Sequence, residues 1–168
     1  MSSGSGSGTV KSRATTRPVL DARLFPAELD ILIELSRGGL IKRAENGRIE
    51  LLSPLPCPFN YGGVPGTRAA DGDREDVILL GPRVKSGSRV RARVVGRVEF
   101  LDAGQPDGKW ICAYRPLERH ERVQIELFFQ LYAQVKRVFN RLHGRPGPTR
   151  YLGFEPALSP ELRASVEA

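Results

Sequence analysis

Only one segment of this chain carries a long helical period, and it comes late. Ile125, Phe128, Leu131, Tyr132, Val135, Val138, Phe139 and Leu142 recur at three- and four-residue steps, which predicts a helix over Arg122 to Leu142 lying against the rest of the fold. Gly144, Pro146 and Pro148 stop it. Ser159-Pro160-Glu161-Leu162 predicts a short final helix, with a serine cap and proline in its first turn. Everything before Arg122 reads as short strands. Glu28 to Leu35 alternates apolar and polar residues; Leu40 to Ala44 and Arg48 to Leu52 read as a hairpin around Glu45-Asn46-Gly47, since Asn-Gly suits a tight turn. Leu51 to Pro58 is a proline-broken crossing. Val77 to Leu80, Ser88 to Phe100 and Trp110 to Tyr114 complete the strands. The class is therefore mainly β with helices (α+β), a β-barrel with one long and one short helix packed outside.

Between these strands lies the stretch that carries chemistry. Asn60-Tyr-Gly-Gly-Val-Pro-Gly-Thr is a Gly/Pro-rich loop, followed by Asp71, Asp73 and Asp76 within six residues and then by an apolar strand. Asp71 and Asp73 leave one face of extended backbone, and Asp76 joins them if the chain turns at Arg74 and Glu75. Carboxylates so close raise one another's pKa, and a hard divalent cation removes that repulsion. A solvated turn is the plain alternative. An EF-hand fits poorly, because its sixth position would be Asp76 instead of Gly and its twelfth Pro82 instead of Glu. A second acidic stretch, Asp102-Ala-Gly-Gln-Pro-Asp107-Gly-Lys109, turns the balance towards function.

In this order and at these spacings, Asn60-Tyr-Gly, Pro65-Gly-Thr, Asp71-Gly-Asp-x-x-Asp-Val and Asp102-x4-Asp107-x-Lys109 resemble the soluble family I inorganic pyrophosphatases. The resemblance covers about Glu28 to Tyr132 and implies a five-stranded OB-like barrel. It implies hydrolysis of pyrophosphate to two phosphates by metal-activated water, with Mg²⁺ as the cofactor and Mn²⁺ as an alternative. By the same resemblance Asp71, Asp76, Asp102, Asp107 and Glu34 hold metal, and Asp73 is the general base. Tyr61, Lys42, Lys109 and Tyr132 match positions that hold phosphoryl oxygens, and Arg48 is the nearest substitute for an arginine expected near Ile49 or Glu50. A homo-oligomer, a hexamer in many bacteria, is also implied. The chain departs from the pattern at Ala44, Cys57 and Ala133, where glutamate, tyrosine and lysine are usual, and at the charged spacers Arg74 and Glu75. Lys136 lies one turn beyond Ala133. Metal ligands are kept while phosphate contacts are eroded.

The chemistry asks for such residues on general grounds. A nucleophile cannot approach polyanionic pyrophosphate until cations neutralise its oxygens, and lysine or tyrosine then stabilises the departing phosphate. A catalytically impaired relative that binds metal and a phosphate-containing ligand is the first alternative. The second is a basic OB-type nucleic-acid-binding domain, suggested by the net charge of +7, the pI near 9.9 and the strand with Arg89, Arg91, Arg93 and Arg97. That strand carries one aromatic, Phe100, which makes a poor stacking platform.

The remaining expectations are broad. At 168 residues and 40% apolar content the chain suits one domain over residues 18–168, preceded by a disordered Gly/Ser-rich tail over residues 1–17. No apolar run approaches the roughly 20 residues of a membrane span, and no secretory h-region stands at the N-terminus, so a cytoplasmic location is expected. Cys57 and Cys112 lack Cys-x-x-Cys spacing and read as packing residues. His120 and His143 bracket the helix without partners at ligand spacing.

Overall fold

A computed structural model describes residues 25–43, 49–52, 55–67 and 74–158, with the backbone alone for 41–43 and 49–52. Nine strands and one helix are described: β1 (Glu28–Leu35), β2 (Ile41–Arg43), β3 (Ile49–Leu52), β4 (Asn60–Gly63), β5 (Asp76–Leu79), β6 (Arg89–Asp102), β7 (Gln105–Pro106), β8 (Lys109–Ala113), α1 (Arg119–Leu142) and β9 (Arg150–Pro156). β1 pairs β4, β4 pairs β5, β5 pairs β8, β8 pairs β6, and β6 returns to β1. That closed ring of five strands is the expected OB-like arrangement. Among the described strands only β5 and β8 run parallel. β2 and β3 form the expected antiparallel pair, while its turn lies outside the described residues, as do the N-terminal tail and the short final helix.

Alternation decides which residues fill the ring. Ile31 and Ile33 of β1, Val77 and Leu79 of β5, Ala92 and Val94 of β6, and Trp110 and Cys112 of β8 form one buried cluster across it. The intervening Ile78 and Ile111 face outward, and beyond the register shift between Val94 and Gly96 of β6 Val98 and Phe100 join them, making a second core with Ile125, Phe129 and Ala133 of α1. Burying side chains of this size contributes about 1.5 to 3 kcal/mol each. Phe129 sits among Phe100, Phe128, Tyr132 and Tyr151.

α1 begins three residues before the expected start at Arg122. Glu118 and Glu121 form a reciprocal capping box, and Arg115 reaches both carboxylates. The apolar line also divides. Ile125, Phe129, Ala133, Lys136 and Asn140 are the buried positions, whereas Leu131, Val138 and Leu142, expected to pack on the barrel, are exposed. They share an outer stripe with Val123 and Leu127. A helix apolar on two opposite sides gives a period that cannot say which side meets the core. No described helix is long and apolar enough to cross a membrane.

Three strands were not expected from sequence: β4, β9 and the two-residue β7. β4 occupies the start of the Gly/Pro-rich loop, where Gly62 lets Leu32 of β1 come close: a Cβ there would sit 2.2 Å from the Leu32 carbonyl oxygen. Fully buried Asn60 anchors it, donating to the carbonyls of Leu79 and Pro82 and accepting from the amides of Arg37 and Val84. β9 follows the prolines after α1 and borders the last part of β6, so its pairing is set by a distant strand and not by local pattern.

Candidate active site

Strand register gathers the first cluster. Val77 of β5 pairs with Trp110 of β8, which sets Asp76 beside Lys109, and Tyr61 of β4 lies opposite Ile78, on the face that Asp76 also uses. Lys109 is buried and binds both Asp76 and Asp107, the latter at 2.8 Å. The Tyr61 hydroxyl donates to Asp76, and the Tyr61 ring lies 5.9 Å from Lys109 Nζ. Asp107 is fixed through its backbone amide, which donates to the Phe100 carbonyl.

The electrostatics follow from that packing. Burial would lower the Lys109 ammonium, but the carboxylates of Asp76 and Asp107 outweigh it and hold its pKa well above the usual lysine range. Burial pushes the Asp107 carboxyl up; Lys109 opposes the rise, and Asp76 and Asp102 add to it. Burial also raises the Tyr61 hydroxyl well above the ordinary phenol range, reinforced by Asp76 and Asp107, so it remains a donor.

A second cluster stands at the end of β6, where α1 crosses it. Asp102 Oδ2 lies 3.1 Å from Lys136 Nζ, and Asp102 Oδ1 accepts from Asn140 Nδ2 at 2.6 Å. Asn140 Nδ2 also donates to Thr149 Oγ1, which accepts from the Ala103 amide. Tyr132 packs among Phe100, Phe128 and Phe129 with its ring 5.9 Å from Lys136 Nζ, which brings it to the same end of the molecule. Lys136, Asn140 and Thr149 had no assigned role in the sequence reading. The signal was there: Lys136 and Asn140 are polar residues on the helix line that continues Ile125, Phe129 and Ala133 inward.

Other expected residues are placed as follows. Glu34 lies 3.4 Å from Arg74, one of the two charged spacers. The other, Glu75, accepts from the Trp110 indole at 2.9 Å and so is taken up by packing. Cys57 and Cys112 are buried free thiols, and burial raises both, Cys112 to about 12. His120 lies exposed beside Glu118, and His143 stacks on Phe139. Asp71, Asp73, Arg48 and Ala44 lie outside the described residues, and Lys42 is described in backbone only. Arg91 pairs with Glu28 and Asp30, and Arg97 pairs with Glu99 and stacks on Trp110, so two of the four β6 arginines are occupied within the fold.

Asp76 and Asp107 offer hard oxygen donors, and Asp107 bears repulsion from Asp76 and Asp102 that a cation would relieve, so this donor set fits a hard divalent ion. Asp102 fits less simply, since both its oxygens already have partners. Among the described residues no three metal-ligating side chains gather at one point; Asp71 and Asp73 precede Asp76 in sequence, outside that set.

Comparison with known proteins agrees with the fold and the motifs. A family model described as inorganic pyrophosphatase matches residues 42–145. The soluble inorganic pyrophosphatase of Zea mays is 35% identical over 124 residues, covering 68% of this chain and 58% of the relative. The inorganic pyrophosphatase of Gluconobacter oxydans is 36% identical over 96 residues, 52% of this chain and 56% of the relative. The chain thus spans under three fifths of the length of these two relatives. Among solved structures, an inorganic pyrophosphatase from Neisseria gonorrhoeae superposes with a TM-score of 0.62 at 25% identity, covering 84% of this chain and 88% of that one. The Thermus thermophilus inorganic pyrophosphatase, at 23% identity and a TM-score of 0.62 over 96% of this chain and 91% of its own, shares the fold.

Proposed function

The chain belongs to the inorganic pyrophosphatase family, and from that membership we propose that it hydrolyses pyrophosphate to two phosphates with Mg²⁺, or Mn²⁺ in its place. The observation that supports this most is the convergence of Tyr61, Asp76 and Lys109 from three adjacent strands with Asp107 from the loop just before β8. Asp71, Asp76, Asp107, Asp102 and Glu34 would hold the divalent ions. Bound there, such ions neutralise phosphoryl oxygens and lower the pKa of water.

The chain's own groups then divide the remaining work. Lys109 stays charged in a buried setting and orients a phosphoryl oxygen, since a buried ammonium interacts more strongly than an exposed one. Tyr61 keeps its proton and donates to the same group. Asp73 accepts the proton of the attacking water, and Lys42, Arg48 and Tyr132 contribute to holding substrate. The test is phosphate release from pyrophosphate by the purified chain, with Mg²⁺ and with EDTA, beside Asp73→Ala. Release that needs Mg²⁺ and disappears in the variant upholds the reading; release no greater than the variant's refutes it.

One observation favours a second reading, a relative that binds metal and a phosphate-containing ligand without turnover: Lys136 and Asn140 already engage both oxygens of Asp102. In that case Mn²⁺ binds while no phosphate appears. Self-association is also proposed, as a hexamer by resemblance, with the outer stripe of α1 (Val123, Leu127, Leu131, Val138 and Leu142) as the surface that a second copy would cover. Size-exclusion chromatography with light scattering of Leu127→Lys/Leu131→Lys should then report a smaller particle; an unchanged mass would refute this surface.

A further inference from the structure

Beside the Asp102 cluster, whose Asn140 and Thr149 it shares, the end of α1 and the loop after it border a half-open cavity of about 470 Å³ also lined by Arg137, Arg141, Arg145 and Arg150. Its wall is built firmly. Gly144 reverses the chain at φ 64, the Arg145 amide donates to the Asn140 carbonyl, and Thr149 is buried beneath the loop. The Gly104 amide donates to the Pro148 carbonyl and the Ala103 amide to Thr149 Oγ1. Gly147 presses so close that a Cβ would lie 2.4 Å from the Ala103 carbonyl oxygen.

Four arginines therefore line one hollow, and no carboxylate is among its described lining residues. Arg137 donates to Gln134 and to the Thr149 carbonyl, and none of the four forms an ion pair among the described residues. Guanidinium forks match phosphoryl oxygens in geometry and charge. Asn140 adds an independent sign of a ligand. It is 2% exposed, its amide nitrogen is used twice, and its Oδ1 has no partner. A buried acceptor in that state calls for a donor. No aromatic residue is among the described lining residues, so a nucleobase has no stacking partner. The volume falls in the range of about 300 to 1,000 Å³ of small-molecule sites.

We propose that this cavity binds a small molecule bearing more than one phosphoryl group and at least one hydroxyl, the phosphoryl groups held by Arg141, Arg145 and Arg150 and the hydroxyl by Asn140. A sugar bisphosphate has this chemistry. The inference goes beyond the hydrolytic reading and does not depend on it. Asn140 also donates to Asp102, so the ligand would touch the residue that holds one carboxylate of the candidate active site.

The test is calorimetric titration of the intact chain with fructose 1,6-bisphosphate and, separately, with inorganic phosphate, in EDTA so that no divalent ion recruits phosphate to the carboxylates. Saturable binding of the bisphosphate is expected, at least about tenfold tighter than inorganic phosphate, weakened about tenfold or more by Arg141→Gln/Arg145→Gln. Both arginines are exposed, so this variant leaves the core intact. Asp107→Asn should leave the affinity within about twofold. Absence of saturable binding, equal affinity for inorganic phosphate, or insensitivity to the arginine pair would overturn the proposal, as would binding that Asp107→Asn abolishes.

Discussion

Asp76, Asp107 and Lys109 are set by neighbouring strands, whereas Asp102 is set by a helix that docks across the end of its strand. In the first cluster the ladder between β5 and β8 fixes the spacing, and a one-residue slip would send Lys109 to the opposite face. In the second, Lys136 and Asn140 reach Asp102 only because Ile125 and Phe129 seat α1 on the barrel. Register is a local constraint of backbone hydrogen bonds; docking depends on the whole outer core. The two halves of the site should therefore respond differently to the same perturbation.

The largest effect is expected at Lys109. Lys109→Met leaves Asp76 and Asp107 partly buried without their cation, which should remove about 3 to 5 kcal/mol of stability in urea unfolding with EDTA present. A loss under about 1 kcal/mol would mean the pair is far better solvated than its packing indicates. Phe129→Ala comes next, at about 3 to 4 kcal/mol from the cavity among its aromatic neighbours. It should also raise hydrogen exchange in α1 more than in β8; equal increases would erase the distinction between docking and register.

Lys136→Met should do less, about 1 to 3 kcal/mol in the same unfolding assay, because Asn140 still donates to Asp102. A loss as large as that of Lys109→Met would make the two clusters equivalent. The smallest effect is expected at Cys112, inside the ring on the strand that carries Lys109. Burial pushes this thiol up to about 12, so at pH 8 it is protonated and shielded. Iodoacetamide should leave it unmodified until urea unfolds the chain, and rapid native labelling would mean that β8 opens.

How far each cluster was legible in sequence follows the same division. Asp76, Asp107 and Lys109 stand in short motifs whose order and spacing carry the family resemblance; four of the five ring strands were legible as short apolar or alternating runs, and the closed ring was implied by the resemblance. The partners of Asp102 were not, because a three- or four-residue period does not say which side of α1 meets the barrel when both sides are apolar. Lys136 and Asn140 looked like ordinary polar helix positions until Leu131, Val138 and Leu142 proved to face outward. β4 was hidden by glycines that the Leu32 approach requires, and β9 by prolines ahead of a strand whose partner lies far upstream.

Hydrolysis is proposed to reside in the strand-held cluster of Asp76, Asp107, Lys109 and Tyr61. Its most direct test is kcat for pyrophosphate in Mg²⁺ of Asp107→Asn against the parent chain, with folding checked by circular dichroism. A folded variant slowed by about 100-fold or more is the predicted result, since one charged group is lost from the reacting centre. A folded variant within about threefold of the parent would contradict the account and move the chemistry away from β5 and β8.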